Sequence, residues 1–180
     1  MTYVVIGIRC LIGMLFVVSA ASKLRGPDAF GAFADSLRRL GFVSPAILRP
    51  VAIAAVLAEV AIPVLLALPM ARAQALGFAL AAVLLAVLAT GIALGLRRGA
   101  RVACRCFGHS EEVLGRRHVA RNGGLAVVAT LGLVGALVTP AGPVLAEPAI
   151  VAGLAGLATA LIVTRFDDLL ELFSVKPSQT

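Results

Sequence analysis

Residues 73–96 read AQALGFALAAVLLAVLATGIALGL, and this stretch decides the class of fold. It contains no charged side chain over its 24 residues. A helix needs about 20 mostly apolar residues to cross the hydrocarbon core of a bilayer, so we predict a membrane-spanning helix here. The rest of the chain agrees, because 61% of its 180 residues are hydrophobic and only 14% are charged. We therefore expect an integral membrane protein.

Four other apolar stretches predict further spans. A signal peptide is the competing interpretation of the first, but residues 1–8 hold no basic side chain and Lys23 and Arg25 follow the apolar core. The last stretch is the shortest and could be tilted or partly re-entrant. We predict an all-α membrane protein over residues 1–166, with a four-helix core plus a fifth span, and a polar tail over 167–180. The predicted spans are 3–21, 51–68, 73–96, 122–139 and 148–163.

Residues 28–40 have a different pattern, with Phe30, Phe33, Leu37 and Leu40 spaced three, four and three apart. Charged residues occupy mostly the other faces. This spacing predicts an amphipathic helix of three to four turns lying flat at the membrane surface. A short helix packed on the bundle would show the same pattern, so that alternative stays open.

The distribution of cations predicts the orientation in the membrane. Of the 16 Lys and Arg residues, 14 fall on one side of the predicted spans, Arg72 falls on the other, and Arg9 lies within the first span. The positive-inside rule then places the N-terminus outside and the C-terminus in the cytoplasm of a bacterial plasma membrane. We therefore attribute the net charge of +7 to cations that set the orientation in the membrane and contact anionic lipids of the bilayer. We expect no nucleic-acid partner.

The chemistry is expected in the loop before the fourth span, where residues 103–109 read ACRCFGH. Cys104 and Cys106 are close enough to form a strained disulfide, and strained, accessible disulfides tend to be the catalytic ones. Arg101 and Arg105 supply positive charge that favours the reactive thiolate. We predict Cys104 and Cys106 as a redox pair. Cys10 should lie more than ~15 Å away, given a rise of about 1.5 Å per helical residue, and is left out of the pair.

Two alternatives to the redox interpretation stay open. The cysteines could be incidental, although free cysteine usually prefers burial to a charged loop. They could also bind a metal, with a ligand set of Cys104, Cys106, His109 and His118. The Cys-x-Cys spacing is shorter than the usual Cys-x2–4-Cys of zinc sites, so we predict no metal.

A second candidate feature lies inside the membrane. Arg9 and Glu59 are charged residues within the first and second spans, and charges at that depth tend to face inward in pairs. We predict an Arg9–Glu59 ion pair. Pro63 cannot donate to the Glu59 carbonyl, which predicts a kink and a polar position where a quinone oxygen could bind. A purely structural pair is the alternative.

Several of these residues together resemble the MauE family of methylamine-utilisation membrane proteins, within the MauE/DoxX group. The resemblance covers about residues 5–140 and is most specific at Cys-x-Cys-Phe-Gly. Arg105 departs from the small residue, often glycine, that the family has between the cysteines. The matching residues are Arg9, Phe16, Ser22, Lys23, Leu24, Glu59, Cys104, Cys106, Phe107, Gly108, Arg121 and Asn122. Phe107, Gly108, Arg121 and Asn122 from this resemblance, together with His109 of the same loop, are predicted as loop and helix-cap residues of the site.

The resemblance implies a membrane protein associated with redox chemistry and with maturation of methylamine dehydrogenase. Its implied partners are thioredoxin-like or amine-dehydrogenase-type proteins, and similarity to quinone-linked disulfide-forming enzymes suggests a quinone as cofactor. Two function classes remain: a thiol-disulfide oxidoreductase or its accessory protein, and a non-catalytic subunit or chaperone that docks a partner enzyme. A transporter is a weaker third. Gly91-x-x-x-Gly95 leaves a homo-oligomer open.

Overall fold

The computed structural model describes residues 1–39, 43–98, 116–139 and 145–173, with side chains described as far as residue 165. Within these ranges the chain forms six helices and no strand. The helices are α1 (Thr2–Leu24), α2 (Pro27–Arg39), α3 (Pro45–Ala67), α4 (Ala71–Arg97), α5 (Arg116–Val138) and α6 (Ala146–Phe173). The Cys-x-Cys loop falls between α4 and α5, outside the described residues.

Five of the helices are long and apolar enough to cross a membrane: α1, α3, α4, α5 and the Ala146–Arg165 part of α6. Large apolar side chains such as Leu57, Val83 and Leu137 lie exposed on the outer surface, where lipid rather than water satisfies them. The all-α membrane fold with five spans is therefore confirmed.

Three helices extend clearly beyond the predicted spans. α5 begins at Arg116 instead of residue 122. α3 begins at Pro45 instead of residue 51, because Ser44 is extended and a proline is well tolerated in the first helical turn. Pro50 and Pro63 both lie inside this helix, which continues through them. α6 extends to Phe173, so it continues past the predicted fifth span into the segment expected to be a polar tail.

The two ends of the bundle differ in character. Side chains from the start of α1, the α3–α4 junction, the end of α5 and the start of α6 line one common cavity, so these segments share one end, here called the cavity end. A hydrogen bond from the Leu145 N–H to the Tyr3 hydroxyl, 3.3 Å long, also joins this end. The opposite end, here called the basic end, carries the arginines at the end of α4 and the start of α5.

The core lies where α1 meets its neighbours. α1 packs on α3, α5 and α6, while α4 packs on α3 and α5. The buried core side chains include Ile12, Leu15, Phe16, Ile62, Leu66, Phe78, Leu85 and Leu125. Gly132 permits the close approach of α5 to α4, since a Cβ there would lie 2.5 Å from Cε1 of Phe78. The Cys-x-Cys loop therefore joins two helices that are tightly packed on each other.

The amphipathic helix α2 packs on the bundle through its apolar face. Phe33, which is 3% exposed, forms a small second core with Ala52 and Val56 of α3. Phe30 and Leu37 pack around the same cluster. These contacts agree with the alternative in which the amphipathic helix packs on the bundle. α2 covers the N-terminal half of α3.

Candidate functional site

The predicted redox residues lie in residues 99–115, outside the described residues. These are Arg101, Cys104, Arg105, Cys106, Phe107, Gly108 and His109. What the structure describes is the protein on both sides of them. Arg98 is the C-cap residue of α4, and its backbone N–H donates to the carbonyls of Leu94 and Gly95 at 3.2 and 3.1 Å. α5 opens at Arg116, so both ends of the loop are fixed to neighbouring helices.

The helix ends beside the loop are strongly basic. Arg97 and Arg98 at the end of α4 and Arg116 and Arg117 at the start of α5 are all exposed. Among the residues described at these two helix ends there is no Asp or Glu. A positive environment favours a cysteine thiolate over the thiol, which is the form that attacks disulfides.

The start of α5 also carries polar residues on its inward face. His118 and Asn122 are four residues apart, so they share one face of the helix, and they are 9% and 1% exposed. Asn122 Oδ1 has no hydrogen-bond partner among the described residues. Arg121, half-buried, borders a crevice with Leu15 of α1 and Thr164 of α6. Of the residues of the metal alternative, His118 alone lies within the described ranges.

Glu59 forms its ion pair with Lys23. The Lys23 ammonium lies 2.9 Å from each carboxylate oxygen of Glu59, and the two side chains are 1% and 4% exposed. Ser19, one turn before Lys23, donates from its hydroxyl to Glu59 Oε1 at 3.1 Å. The same hydroxyl oxygen accepts a hydrogen bond of 2.8 Å from the Lys23 ammonium. Both carboxylate oxygens are therefore satisfied inside the bundle.

α2 completes the surroundings of this pair. The Lys23 ammonium lies 4.8 Å from the centre of the Phe33 ring, a cation–π distance. Phe33 thus contacts the small core on α3 and also covers the buried cation. The amphipathic helix α2 therefore contacts both the ion pair and the N-terminal half of α3.

The predicted Arg9–Glu59 pair is wrong. Arg9 lies two turns into α1, near its beginning, whereas Lys23 lies in the last turn, about 20 Å further along the axis. α3 begins at Pro45, six residues earlier than predicted, and places Glu59 level with the last turns of α1. Arg9 instead lines the cavity at the other end.

The Glu59 position also does not fit the predicted quinone site. The residue is 3% exposed, and its carboxylate oxygens already bond to Lys23 and Ser19. A quinone oxygen would need a hydrogen-bond donor, and the donors here are used within the protein. These contacts support the structural interpretation of the intramembrane carboxylate.

The sequence analysis did not predict that Lys23, Ser19 and Phe33 together surround the Glu59 carboxylate and its cation. As a cation that follows the first span, Lys23 is expected to extend its ammonium to the membrane interface. A signal was present, however: Ser19 and Lys23 are spaced to share a face of α1, and an aromatic-bearing amphipathic helix follows directly. A cation next to a helix that packs back on the bundle is a candidate for burial.

The fold and these contacts define a multi-pass helical membrane protein with a buried ion pair and a cysteine-containing loop between two packed spans. A family model described as methylamine utilisation protein MauE matches residues 1–135 of the chain. The chain belongs to the MauE family, which is linked to methylamine utilisation. The match covers α1 to α4, the Cys-x-Cys loop and most of α5, while α6 lies outside it. Comparisons with curated proteins and with solved structures gave no match.

Proposed function

We propose that this protein is a membrane thiol-disulfide oxidoreductase, or the redox subunit of one, with Cys104 and Cys106 as its reactive pair. The observation that carries the proposal is the Cys-x-Cys motif within the family match, between two helices that are packed on each other. The arginines at both helix ends support it, since they favour the thiolate. The partner would be a thioredoxin-like or amine-dehydrogenase-type protein.

The proposed reaction moves two electrons. A thiolate of a partner dithiol attacks one sulfur of the Cys104–Cys106 disulfide, breaks the S–S bond and forms a mixed disulfide. The second partner thiolate then attacks the mixed disulfide and releases the Cys104 and Cys106 thiols. The partner becomes oxidised to a disulfide, and this pair takes up its two electrons and two protons. Reoxidation of the pair needs a two-electron acceptor, either a second protein disulfide or a quinone.

A trapping experiment tests this reaction. Thioredoxin whose second active-site cysteine is replaced by serine cannot resolve a mixed disulfide, so it should remain linked to the oxidised membrane protein. We expect the adduct with the parent protein and with Cys10→Ser, and its loss in the Cys104→Ser/Cys106→Ser variant. An adduct that persists in the double variant would contradict the proposal and favour the non-catalytic docking function.

The side of the membrane decides the direction of electron flow. Of the thirteen described Lys and Arg residues, eleven belong to the basic end, whereas Arg72 lies at the cavity end and Arg9 lines the cavity itself. By the positive-inside rule this supports a cytoplasmic Cys-x-Cys loop. In that orientation the pair takes electrons from cytoplasmic thiols, where reduced thiols prevail, and does not oxidise secreted proteins directly.

Labelling of intact cells tests the orientation. A membrane-impermeant maleimide, applied after mild reduction, should leave Cys104 and Cys106 unlabelled until the membrane is permeabilised. Labelling of either cysteine in intact cells would place the loop outside and restore direct oxidation of secreted proteins as the function. Because the readout is chemical labelling, this experiment does not depend on knowing the partner.

A further inference from the structure

A cavity of about 590 Å³ opens at the end of the bundle opposite the Cys-x-Cys loop. α1, α4, α5 and α6 form its walls, with the α3–α4 junction at its rim. This volume lies within the range of small-molecule binding sites. Its polar lining residues are Thr2, Arg9, Cys10, Gln74 and Thr139.

Arg9 is the charged residue of this lining. It lies within the membrane-spanning helix α1 and is half-buried. No hydrogen bond or ion pair joins it to another residue in the part of the chain that the structure describes. An arginine inside a span is costly and normally faces a partner or a water-filled cavity, which makes it a marker of a binding site.

The surroundings of Arg9 are poor in negative charge. Among the described residues that line the cavity there is neither aspartate nor glutamate. At this end Glu147, in the first turn of α6, is the carboxylate among the described residues, and it is exposed and outside the lining. The guanidinium therefore has no counter-charge among the described lining residues, and an external anion would meet no carboxylate among them.

Helix ends and one hydroxyl add to the attraction for an anion. α1, α4 and α6 all begin at this end, and Thr2, Ala71 and Ala149 from their first turns line the cavity. Helix N-termini carry partial positive charge. α3 and α5 end here, and helix C-termini carry partial negative charge. At the end of α3, however, the Leu68 carbonyl accepts a hydrogen bond of 2.9 Å from the Gln74 side-chain amide. The buried Thr139 Oγ1 has no partner within the described residues.

We propose that this cavity binds an oxyanion group, a carboxylate or a phosphate, with the Arg9 guanidinium as its main contact and the Thr139 hydroxyl as a further donor. Arginine binds such groups through two parallel hydrogen bonds, which suits a planar or tetrahedral oxyanion. The ligand is either an amphiphile whose chain lies among the helices or a small free anion that enters from the end opposite the basic arginines. This site is separate from the redox loop and does not rest on the proposed function.

Cys10 provides the assay, because its thiol lies in the lining of the same cavity. In the Cys104→Ser/Cys106→Ser protein it is the one remaining thiol of the chain. The protein is placed in uncharged nanodiscs, and the rate of Cys10 alkylation by N-ethylmaleimide is measured with inorganic phosphate or with dodecanoate. Chloride at equal ionic strength and dodecanol are the matched controls. We expect one oxyanion probe to slow alkylation at least about fivefold while its control does not.

Variants assign the protection to Arg9. In Arg9→Gln the probe concentration for half-protection should rise at least about tenfold, as for loss of a charge-assisted hydrogen bond. Arg9→Lys should retain part of the protection, and Arg72→Gln, which removes an exposed arginine at the same end, should retain all of it. The ratio of rates with and without probe is compared within each variant, so intrinsic thiol reactivity cancels.

Each outcome decides something. Protection by dodecanoate alone identifies an amphiphile, and protection by phosphate alone identifies a free anion. Absence of protection by both probes, equal protection by dodecanol, or undiminished protection in Arg9→Gln would overturn the proposal. If Arg9→Gln does not fold, Thr139→Val and Arg9→Lys replace it as tests. We then expect Thr139→Val to weaken protection relative to the parent. Protection that is unchanged in both of these variants would also overturn the proposal.

Discussion

Removing the charge of Glu59 should destabilise the bundle strongly. In Glu59→Gln the Lys23 ammonium would stay at a position that is 1% exposed, without the carboxylate that now lies 2.9 Å away on both oxygens. Removing one partner of a buried ion pair costs about 3–5 kcal/mol, because the remaining charge is neither hydrated nor paired. That is a large part of a total stability of about 5–15 kcal/mol. The Ser19 hydroxyl remains as a polar contact but carries no compensating charge.

The assay is unfolding of the purified protein in mixtures of dodecyl maltoside and SDS, followed by circular dichroism. Asp35→Asn is the matched control, since it removes one partner of the Asp35–Arg38 pair, whose side chains are 53% and 60% exposed. Exposed pairs contribute about 0–1 kcal/mol, so this control should change little. Lys23→Met/Glu59→Gln removes both charges and should recover much of the loss. A Glu59→Gln protein as stable as Asp35→Asn would refute the reasoning.

Three further predictions concern packing and the cysteines. Phe33→Leu removes the ring 4.8 Å from the Lys23 ammonium and should lower the free energy of unfolding by about 1–2 kcal/mol in the same titration. Gly132→Ala should cost about 1–3 kcal/mol, because its Cβ would overlap the Phe78 ring, whereas Gly124→Ala, with nothing within 4 Å, should be neutral or stabilising; equal effects would contradict the packing described. Peptide mass spectrometry of the oxidised protein should find no disulfide from Cys10 to either loop cysteine, and finding one would exclude the proposed pair.

The spans could be predicted because a bilayer imposes a simple requirement on composition. Residues 73–96 satisfy it without a charge, and α4 covers Ala71–Arg97. The amphipathic helix was equally visible, since the three-and-four spacing of Phe30, Phe33 and Leu37 has a period close to that of an α-helix. Both features depend on local sequence alone.

The partner of Glu59 could not be predicted in the same way. It depends on how far α3 is displaced along α1, and in the structure this displacement places Glu59 level with Lys23 in the last turn of α1. Hydropathy does not report such a displacement. The position of Lys23 at a helix end predicts exposure, but in the structure Ser19, Glu59 and Phe33 together stabilise the buried cation.

The Cys-x-Cys loop shows a different limit. Its residue types and the arginines around it predict a redox pair, and the family match includes it, whereas the packing of the helix that follows it is not visible in the sequence. Asn122 Oδ1, which has no hydrogen-bond partner among the described residues, and the buried His118 both lie near the start of α5, directly after the loop in sequence. Asn122 belongs to the residues that resemble the family, but the burial of both side chains follows from helix packing and is not visible in the sequence.

The central claim is that Cys104 and Cys106 exchange reversibly between dithiol and disulfide. The most direct measurement is a redox titration of the Cys10→Ser protein in nanodiscs, equilibrated in dithiothreitol buffers of defined potential, alkylated and analysed by mass spectrometry. We predict one reversible two-electron transition within a single chain, with a slope of about 30 mV per tenfold change in the ratio of oxidised to reduced protein. Two thiols that stay alkylatable at every potential, or a disulfide that forms only between chains, would contradict the claim.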